Sequence, residues 1–311
     1  VSTERIALVV NPSATRTDGA VRGTLGRALA PHGLMDIAVP RGPGETAEAV
    51  VRAVADGATT VAVLGGDGTQ RVAAAVLAGG PVALLPLPGG STNVLARGLG
   101  WPQDIGRAAA MLGAAFATPP RELVVGRAVA DGREELFLVN CGTGVDAAAA
   151  DWVERHTTLK HRLRQGAFAI GVAGPGVRAI VAGPALTLTA GATPEVGVSS
   201  FIAACGGPYA YLGARPLDLL PRAAWDGRLE WIALSGRSPV AAARLLTGAL
   251  RGGRHLADGG AVGGIGPEPL TLRAARPVVV QADGDPIGRV GELTLSPGPV
   301  LRVRDAAVTR T

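Results

Sequence analysis

The sequence predicts an α/β region followed by a mostly antiparallel β region. Three observations carry that expectation. Up to Pro120, short apolar runs alternate with Ala-rich stretches, which is the pattern of strand and helix in turn. Beyond Pro120, short strand-like segments follow one another through turns. Glycine clusters also recur after strands of the first half, where a parallel sheet presents the carboxyl ends at which ligands sit. Thr118-Pro119-Pro120 reads as the boundary. The expected parts are 1–119, 120–299, and a last strand and tail at 300–311 that can return to the N-terminal domain.

The elements come in this order. Ile6–Val10 is a buried strand ending in Asn11-Pro12-Ser13, and Ala20–Ala30 is a helix. A second strand at Met35–Val39 precedes a helix at Gly44–Asp56. Val61–Leu64 is a third strand, followed by Gly65-Gly66-Asp67-Gly68-Thr69 and a helix at Gln70–Ala78. Glycines between a strand and a helix let a ligand approach the backbone, and the helix N-terminus attracts anions. An ordinary Gly-Asp-Gly turn stays open as the alternative. Val82–Leu85 is a fourth strand, and Pro86–Asn93 a third loop in the matching position. There Ser91, Thr92 and Asn93 are candidates either to cap the next helix or to bind phosphate. Asp104–Ala115 closes the first half as a helix.

In the second half, strands are expected at Leu123–Ala130, Glu135–Asn140, Ala185–Ala190, Val196–Cys205, Arg228–Leu234, Pro269–Ala274, Val278–Ala282 and Leu293–Leu295, with Val300–Arg304 last. A helical excursion at Asp146–Ile180 and a helix at Pro239–Arg251 interrupt them. The excursion carries a basic cluster, Arg155, His156, Lys160, His161, Arg162 and Arg164, followed by Phe168, Ile170 and Val172. Basic beside apolar suits an anionic membrane surface, and equally a solvated helix face.

Composition narrows the classes. At 311 residues the chain can bury a sizeable core. Net charge is +5, with 29 Arg and one Lys, which suits an anionic partner. Aromatics are only 3% and do not interleave with the basic residues, so nucleic acid is not expected. Cys141 and Cys205 show no disulfide or metal spacing. The opening residues read as a strand rather than a signal peptide. No apolar stretch reads as a membrane span, so membrane contact is expected to be peripheral.

Two acidic turns stand out in the β region: Trp225-Asp226-Gly227-Arg228 and Asp283-Gly284-Asp285. Asp-Gly is a hairpin signal, so each has a plain structural explanation. Carboxylates at such a turn can also divide labour, one meeting metal-bound phosphate and one accepting a proton.

Taken together, Asn11-Pro12-Ser13, Gly65-Gly66-Asp67-Gly68-Thr69, Gly90-Ser91-Thr92-Asn93 with Ala96-Arg97, Asp226-Gly227-Arg228-Leu229 and Asp283-Gly284-Asp285 resemble, nearly end to end, the bacterial diacylglycerol kinase and lipid kinase family. Its catalytic domain is shared with sphingosine and ceramide kinases. The resemblance implies an N-terminal α/β nucleotide-binding domain with a mostly parallel sheet, a C-terminal antiparallel β-sandwich, and an active-site cleft between them. It implies ATP loops at Asn11, Pro12, Ser13, Ala14 and Thr15, at Gly65, Gly66, Asp67, Gly68, Thr69, Gln70 and Arg71, and at Gly90, Ser91, Thr92 and Asn93. It implies Mg2+ at Asp226 with the carbonyls of Ala223 and Arg228. Asp67 is expected to orient a Mg2+ ion through water, because hard cations take oxygen ligands and keep some of their water. Asp285 stands where the bacterial enzymes usually carry a Glu proton acceptor, and Asp283 could assist it. The chain also departs from the family. Pro40 replaces a usual Thr, the first loop lacks its glycine, and the Asp226 turn has no second acid.

The function expected is ATP- and Mg2+-dependent phosphorylation of a lipid hydroxyl, most simply diacylglycerol to phosphatidic acid. The acyl chains would need an apolar groove, for which Phe168–Val181 is the candidate wall. The expected setting is cytoplasmic, at the inner face of the membrane, and a homodimer stays open. The rivals are a kinase of a soluble molecule, as in NAD kinase, and a nucleotide-binding regulatory protein with weakened catalysis.

Overall fold

The structure is a computed structural model that describes residues 4–15, 17–155, 172–183, 185–191, 194–238, 240, 243 and 261–306. The chain divides into two units, Val1–Leu123 with Pro299–Thr311, and Val124–Gly298.

Unit 1 is built on a parallel sheet. Strands β1 (Ile6–Val10), β2 (Leu34–Ala38), β3 (Thr60–Gly65) and β4 (Ala83–Pro88) lie in the order β4-β3-β1-β2. All residues of β1, β3 and β4 are buried, as expected of strands covered on both faces. The connections are α1 (Gly19–Leu29), α2 (Pro43–Ala55) and α3 (Asp67–Leu77), with α4 (Val94–Gly98) and α5 (Ile105–Ala117) after β4. Asp18 caps α1 by accepting the Val21 N–H (2.9 Å), and Asp104 caps α5 by accepting the Arg107 N–H (2.8 Å).

Two elements differ from the sequence expectation where the loops matter. Helix α3 starts at Asp67, three residues before the expected Gln70, so Asp67, Gly68 and Thr69 form its first turn. Gly66 is the extended residue before it, and Asp67 sits where a carboxylate favours the helix dipole. Strand β4 runs on through Pro86 and Pro88, pairing with Val63 and Gly65 of β3. Prolines are tolerated there because the strand on the other side of β4 meets it at Leu84, before either proline.

Unit 2 is strand-rich and antiparallel. Strands β5 (Arg121–Ala130), β6 (Arg133–Phe137) and β7 (Asn140–Thr143) lead into α6 (Val145–Arg155). Then come β8 (Leu186–Ala190), β9 (Val196–Val198), β10 (Ser200–Ala204), β11 (Ala210–Leu212), β12 (Arg215–Leu217), β13 (Leu229–Leu234), β14 (Ala261–Gly266), β15 (Leu270–Ala282) and β16 (Asp285–Val303). The order β14-β13-β10-β7-β15-β16 is antiparallel at every pairing whose register is given, with β8 and β9 joined through β15 and β5 beside β16. The segments expected as separate strands at Pro269–Ala274 and Val278–Ala282 form one strand, with a register shift between Arg273 and Val278. Glu135–Asn140 is split between β6 and β7.

The basic cluster from His156 to Arg164, Phe168 and Ile170, and nearly all of the helix expected at Pro239–Arg251, lie outside the described residues. Among the described residues no helix is long and apolar enough to cross a membrane.

Candidate functional site

In unit 1, three loops gather at the carboxyl ends of β1, β3 and β4. The first is tied down by Asn11, whose Oδ1 accepts the Ser13 N–H (2.9 Å) and whose amide donates to Thr69 Oγ1 (2.8 Å). The second and third pack backbone on backbone. The Gly89 N–H donates to the Gly65 carbonyl (3.0 Å). A Cβ on Gly89 would stand 2.7 Å from Gly65 N, and one on Gly90 would stand 2.6 Å from Gly66 Cα. Only glycine permits that approach. Asp67 joins the same loops by accepting the Leu95 N–H (3.1 Å).

Several expected binding residues act inward as staples. Asn93 is fully buried with φ +53°. Its side chain accepts the Gly90 N–H (2.8 Å) and donates to the Gly90 carbonyl (2.8 Å) and to Gln103 Oε1 (2.7 Å). Gln103 in turn donates to the Thr92 carbonyl (2.9 Å). Gln70 is buried and donates to the Leu87 carbonyl (3.2 Å), tying α3 to the end of β4. Pro12, Ser13, Thr15 and Ser91 are exposed, and Ala14, Gly66, Asp67, Gly68, Thr69 and Arg71 are half-buried. The first backbone bond into α3 is from the Gln70 N–H to the Gly66 carbonyl, so the amides of Asp67, Gly68 and Thr69 lie ahead of the helical ladder. A buried frame thus holds a helix N-terminus flanked by glycine backbone and exposed hydroxyls. That arrangement suits an anion such as a phosphate chain.

In unit 2, β15 and β16 are joined by Asp283-Gly284, both at positive φ (+53° and +88°). A two-residue hairpin turn of the primed type needs this. The Asp283 carboxylate accepts three backbone N–H bonds, from Leu138 (2.8 Å), Val139 (2.8 Å) and Asn140 (3.1 Å). Both its oxygens therefore anchor the approach to β7, which sets Asp283 apart from the proton-accepting role expected for it beside Asp285. Asp285 opens β16, half-buried, opposite Ala282.

Residues 5–119 match the model of the diacylglycerol kinase catalytic domain. The matched segment is the part of the chain that holds the three loops. Solved structures agree in fold. Two provisionally named diacylglycerol kinases from Bacillus anthracis str. Sterne are 21% and 20% identical, with TM-scores of 0.71 and 0.70. The alignments cover 97% and 98% of this chain, and 97% and 99% of those chains. A third structure, a diacylglycerol kinase from the same organism, is 19% identical over 99% of this chain and 100% of that one, with a TM-score of 0.66. Among curated proteins none is similar to this chain.

At the expected metal turn the carboxylate already has a partner. Asp226 is bound by Arg228, whose Nε lies 2.9 Å from Oδ2 and whose backbone N–H lies 3.2 Å from Oδ1. This pairing holds the Asp226 carboxyl below the usual carboxylate range, chiefly through the Arg228 guanidinium. The nearest acid in sequence, Glu230, is fully buried and accepts from Arg222 Nε (2.8 Å) and the Ala223 N–H (3.1 Å). Among the described residues no group of three or more His, Cys, Asp and Glu side chains could hold a metal ion. The Asp226 carboxylate, expected to meet Mg2+ together with the carbonyls of Ala223 and Arg228, is here engaged by Arg228. Asp67, beside the helix N-terminus, does fit an outer contact to a phosphate-bound cation.

Sequence reasoning missed one polar group of unit 2. Asp146, in the first turn of α6, accepts from the Tyr209 hydroxyl and the Gln281 amide. Burial pushes its carboxyl up to about 6, against the pull of those two hydrogen bonds. The signal available was an acid two residues after Gly144, in the first turn of a helix, which also reads as an ordinary dipole partner.

Proposed function

We propose that the protein is a kinase that transfers the γ-phosphoryl group of ATP to a lipid hydroxyl, most simply that of diacylglycerol. The observation that carries it is the Gly65–Thr69 segment: a glycine backbone leading into the N-terminus of an 11-residue helix, inside a domain that matches the diacylglycerol kinase catalytic family. Phosphoryl transfer asks a protein mainly for positioning, charge stabilisation and proton removal. The amides of Asp67, Gly68 and Thr69 hold the donor phosphates, with Ser13 and Ser91 as exposed hydroxyl partners. Bound Mg2+ would neutralise charge on those phosphates, and Asp67 is the residue that would orient it. Asp285 accepts the proton of the lipid hydroxyl. Asp283 holds the turn on which Asp285 stands.

The test is transfer of label from γ-labelled ATP to a total lipid extract, with and without Mg2+, using the wild type and Asp285→Ala. The expected result is a labelled phospholipid product that Asp285→Ala reduces by about 10²-fold or more. Label appearing on NAD without lipid would replace this reading with a soluble acceptor. Thermal stabilisation by ATP with no label on any lipid would leave a nucleotide-binding protein only.

A further inference from the structure

A chain of hydrogen bonds, centred on one fully buried amide, leads from α6 to the turn that carries Asp285. Gln281, fully buried, is the last residue but one of β15. Its amide nitrogen donates both to Asp146 Oδ2 and to Asn140 Oδ1 (3.0 Å). Its carbonyl oxygen therefore faces the other way, where it accepts the Gly284 N–H at 2.6 Å. Asn140 is itself oriented, because its amide nitrogen donates to the Tyr209 carbonyl (3.1 Å) and leaves Oδ1 for Gln281.

The direction of this chain follows from donor and acceptor identity. An ionised carboxylate only accepts, and so does a backbone carbonyl. Turned over, the Gln281 amide would set its oxygen against the Asp146 carboxylate and Asn140 Oδ1, and its NH2 against the Gly284 N–H. Three bonds would fail together around the fully buried Gln281 side chain, where an unmade bond is costly. Asp146 and Asn140 together set which way Gln281 faces, and Gln281 in turn holds the Gly284 backbone. Gly284 lies between Asp283 and Asp285, and Asp283 is already fixed by its three N–H bonds.

We propose that Asp146 is a positioning residue for Asp285, acting through the Gln281 amide and the Gly284 backbone. This rests on Asp285 as the proton acceptor of the proposed kinase. Asp146 is not needed to bind ATP, since every residue assigned to the phosphates lies in unit 1. Its replacement by Asn also relieves a desolvated charge and opens no cavity. Activity and stability are therefore expected to part company.

The experiment measures kcat, KM for ATP and melting temperature, using vesicles of dioleoylglycerol in phosphatidylglycerol. The proteins are the wild type, Asp146→Asn, Asp146→Glu, Gln281→Leu and Asp285→Ala. Asp146→Asn is expected to lower kcat about tenfold, a fraction of what misplacement of a reacting group can cost. It should leave KM for ATP within about twofold and not lower the melting temperature. Asp146→Glu keeps an acceptor-only head and should recover part of the lost kcat. Gln281→Leu cuts the next link and should lower kcat by a similar factor. Full turnover in Asp285→Ala overturns the base assignment and this inference with it. An inactive Asp285→Ala beside unimpaired Asp146→Asn and Gln281→Leu overturns the positioning role alone. The role is equally overturned if Asp146→Asn loses kcat and melting temperature together and Asp146→Glu restores neither.

Discussion

At the scale of single residues, unit 2 uses carboxylates in three ways that the sequence does not distinguish. Asp226 pairs with an exposed arginine, Asp283 gathers backbone N–H groups, and Asp146 is half-buried against a phenol and an amide. The Asp283 bonds are charge-assisted and join segments far apart in sequence. Asp283→Ala leaves those donors unmet and should destabilise unit 2 by roughly 2–3 kcal/mol. Asp283→Asn, which keeps the turn but weakens its acceptor, should cost less; both are read from denaturant midpoints. If Asp283→Ala melts like the wild type, the anchoring role is wrong. Asp146 makes a prediction of opposite sign. Its folded pKa, about 6, lies above the ordinary value of 3.8, so the folded state holds this proton more tightly than the unfolded state. The stability it contributes is present below about pH 4 and is lost as pH rises through about 6. The effect is at most about 3 kcal/mol. In the difference between wild type and Asp146→Asn, unfolding free energy should fall between pH 4 and 7. A flat difference would show that Asp146 is not titrating there.

At the scale of elements, the two glycine loops of unit 1 behave as one part. Gly65 and Gly66 meet Gly89 and Gly90 at distances that exclude a side chain, and Asn93 closes the second loop from within. Gly90→Ala places a methyl 2.6 Å from Gly66 Cα, where the obstacle is backbone and cannot rotate away. It should cost roughly 1–3 kcal/mol and weaken ATP binding. Gly79→Ala, with open space around it but a positive φ, should cost stability and leave ATP affinity unchanged. Calorimetric titration with ATP separates the two, and equal ATP affinity in both variants would refute the loop-docking argument. Much of this was legible in sequence. The strand-loop-helix rhythm located β1, β3 and α3 to within a few residues, because each is a buried apolar run or an Ala-rich face. The start of α3 was not legible, since Gly68 reads as a breaker and its place in a first helical turn depends on the extended Gly66 before it. The inward aim of Asn93 and Gln70 was hidden for a different reason: a polar side chain beside a glycine loop reads alike whether it faces a ligand or a carbonyl. Asp146 and Gln281 lie far apart in sequence and meet only through the pairing of β7 with β15.

At the scale of the whole molecule, the chain leaves unit 1 within β5 and re-enters it within β16, so unit 1 is discontinuous in sequence. The returning tail is held by several contacts of unit 1. The Arg304 N–H donates to the Leu84 carbonyl (2.8 Å), the Ala306 N–H to that of Leu99 (3.0 Å), and Trp101 Nε1 to that of Arg304 (2.9 Å). The Arg304 side chain, 4% exposed, reaches the carbonyls of Ala115 (3.2 Å) and Thr118 (2.7 Å), pairs with Glu4, and lies 4.9 Å over the Phe116 ring. One guanidinium thus ties the first strand's approach, the end of α5 and the tail together. Arg304→Ala leaves two carbonyls unmet and Glu4 with only its Thr59 and Thr60 hydroxyl partners, and should cost about 3 kcal/mol, since breaking an ion pair with a buried member removes its compensation. Arg304→Lys, with no planar fork, should recover only part. The same contacts predict that residues 1–123 alone will not fold cooperatively, because β4 would lose its neighbour and Trp101 its acceptor. Within unit 2, Gly298 lies against Val125, so the points where β5 enters that unit and β16 leaves it are adjacent. A short Gly/Ser linker can therefore join residue 123 to residue 299. That fused fragment should show a sharp thermal transition by circular dichroism and bind ATP, whereas residues 1–123 should show a broad one and bind none. If residues 1–123 melt as sharply and at the same temperature, the tail is an ornament of unit 1 rather than part of its core.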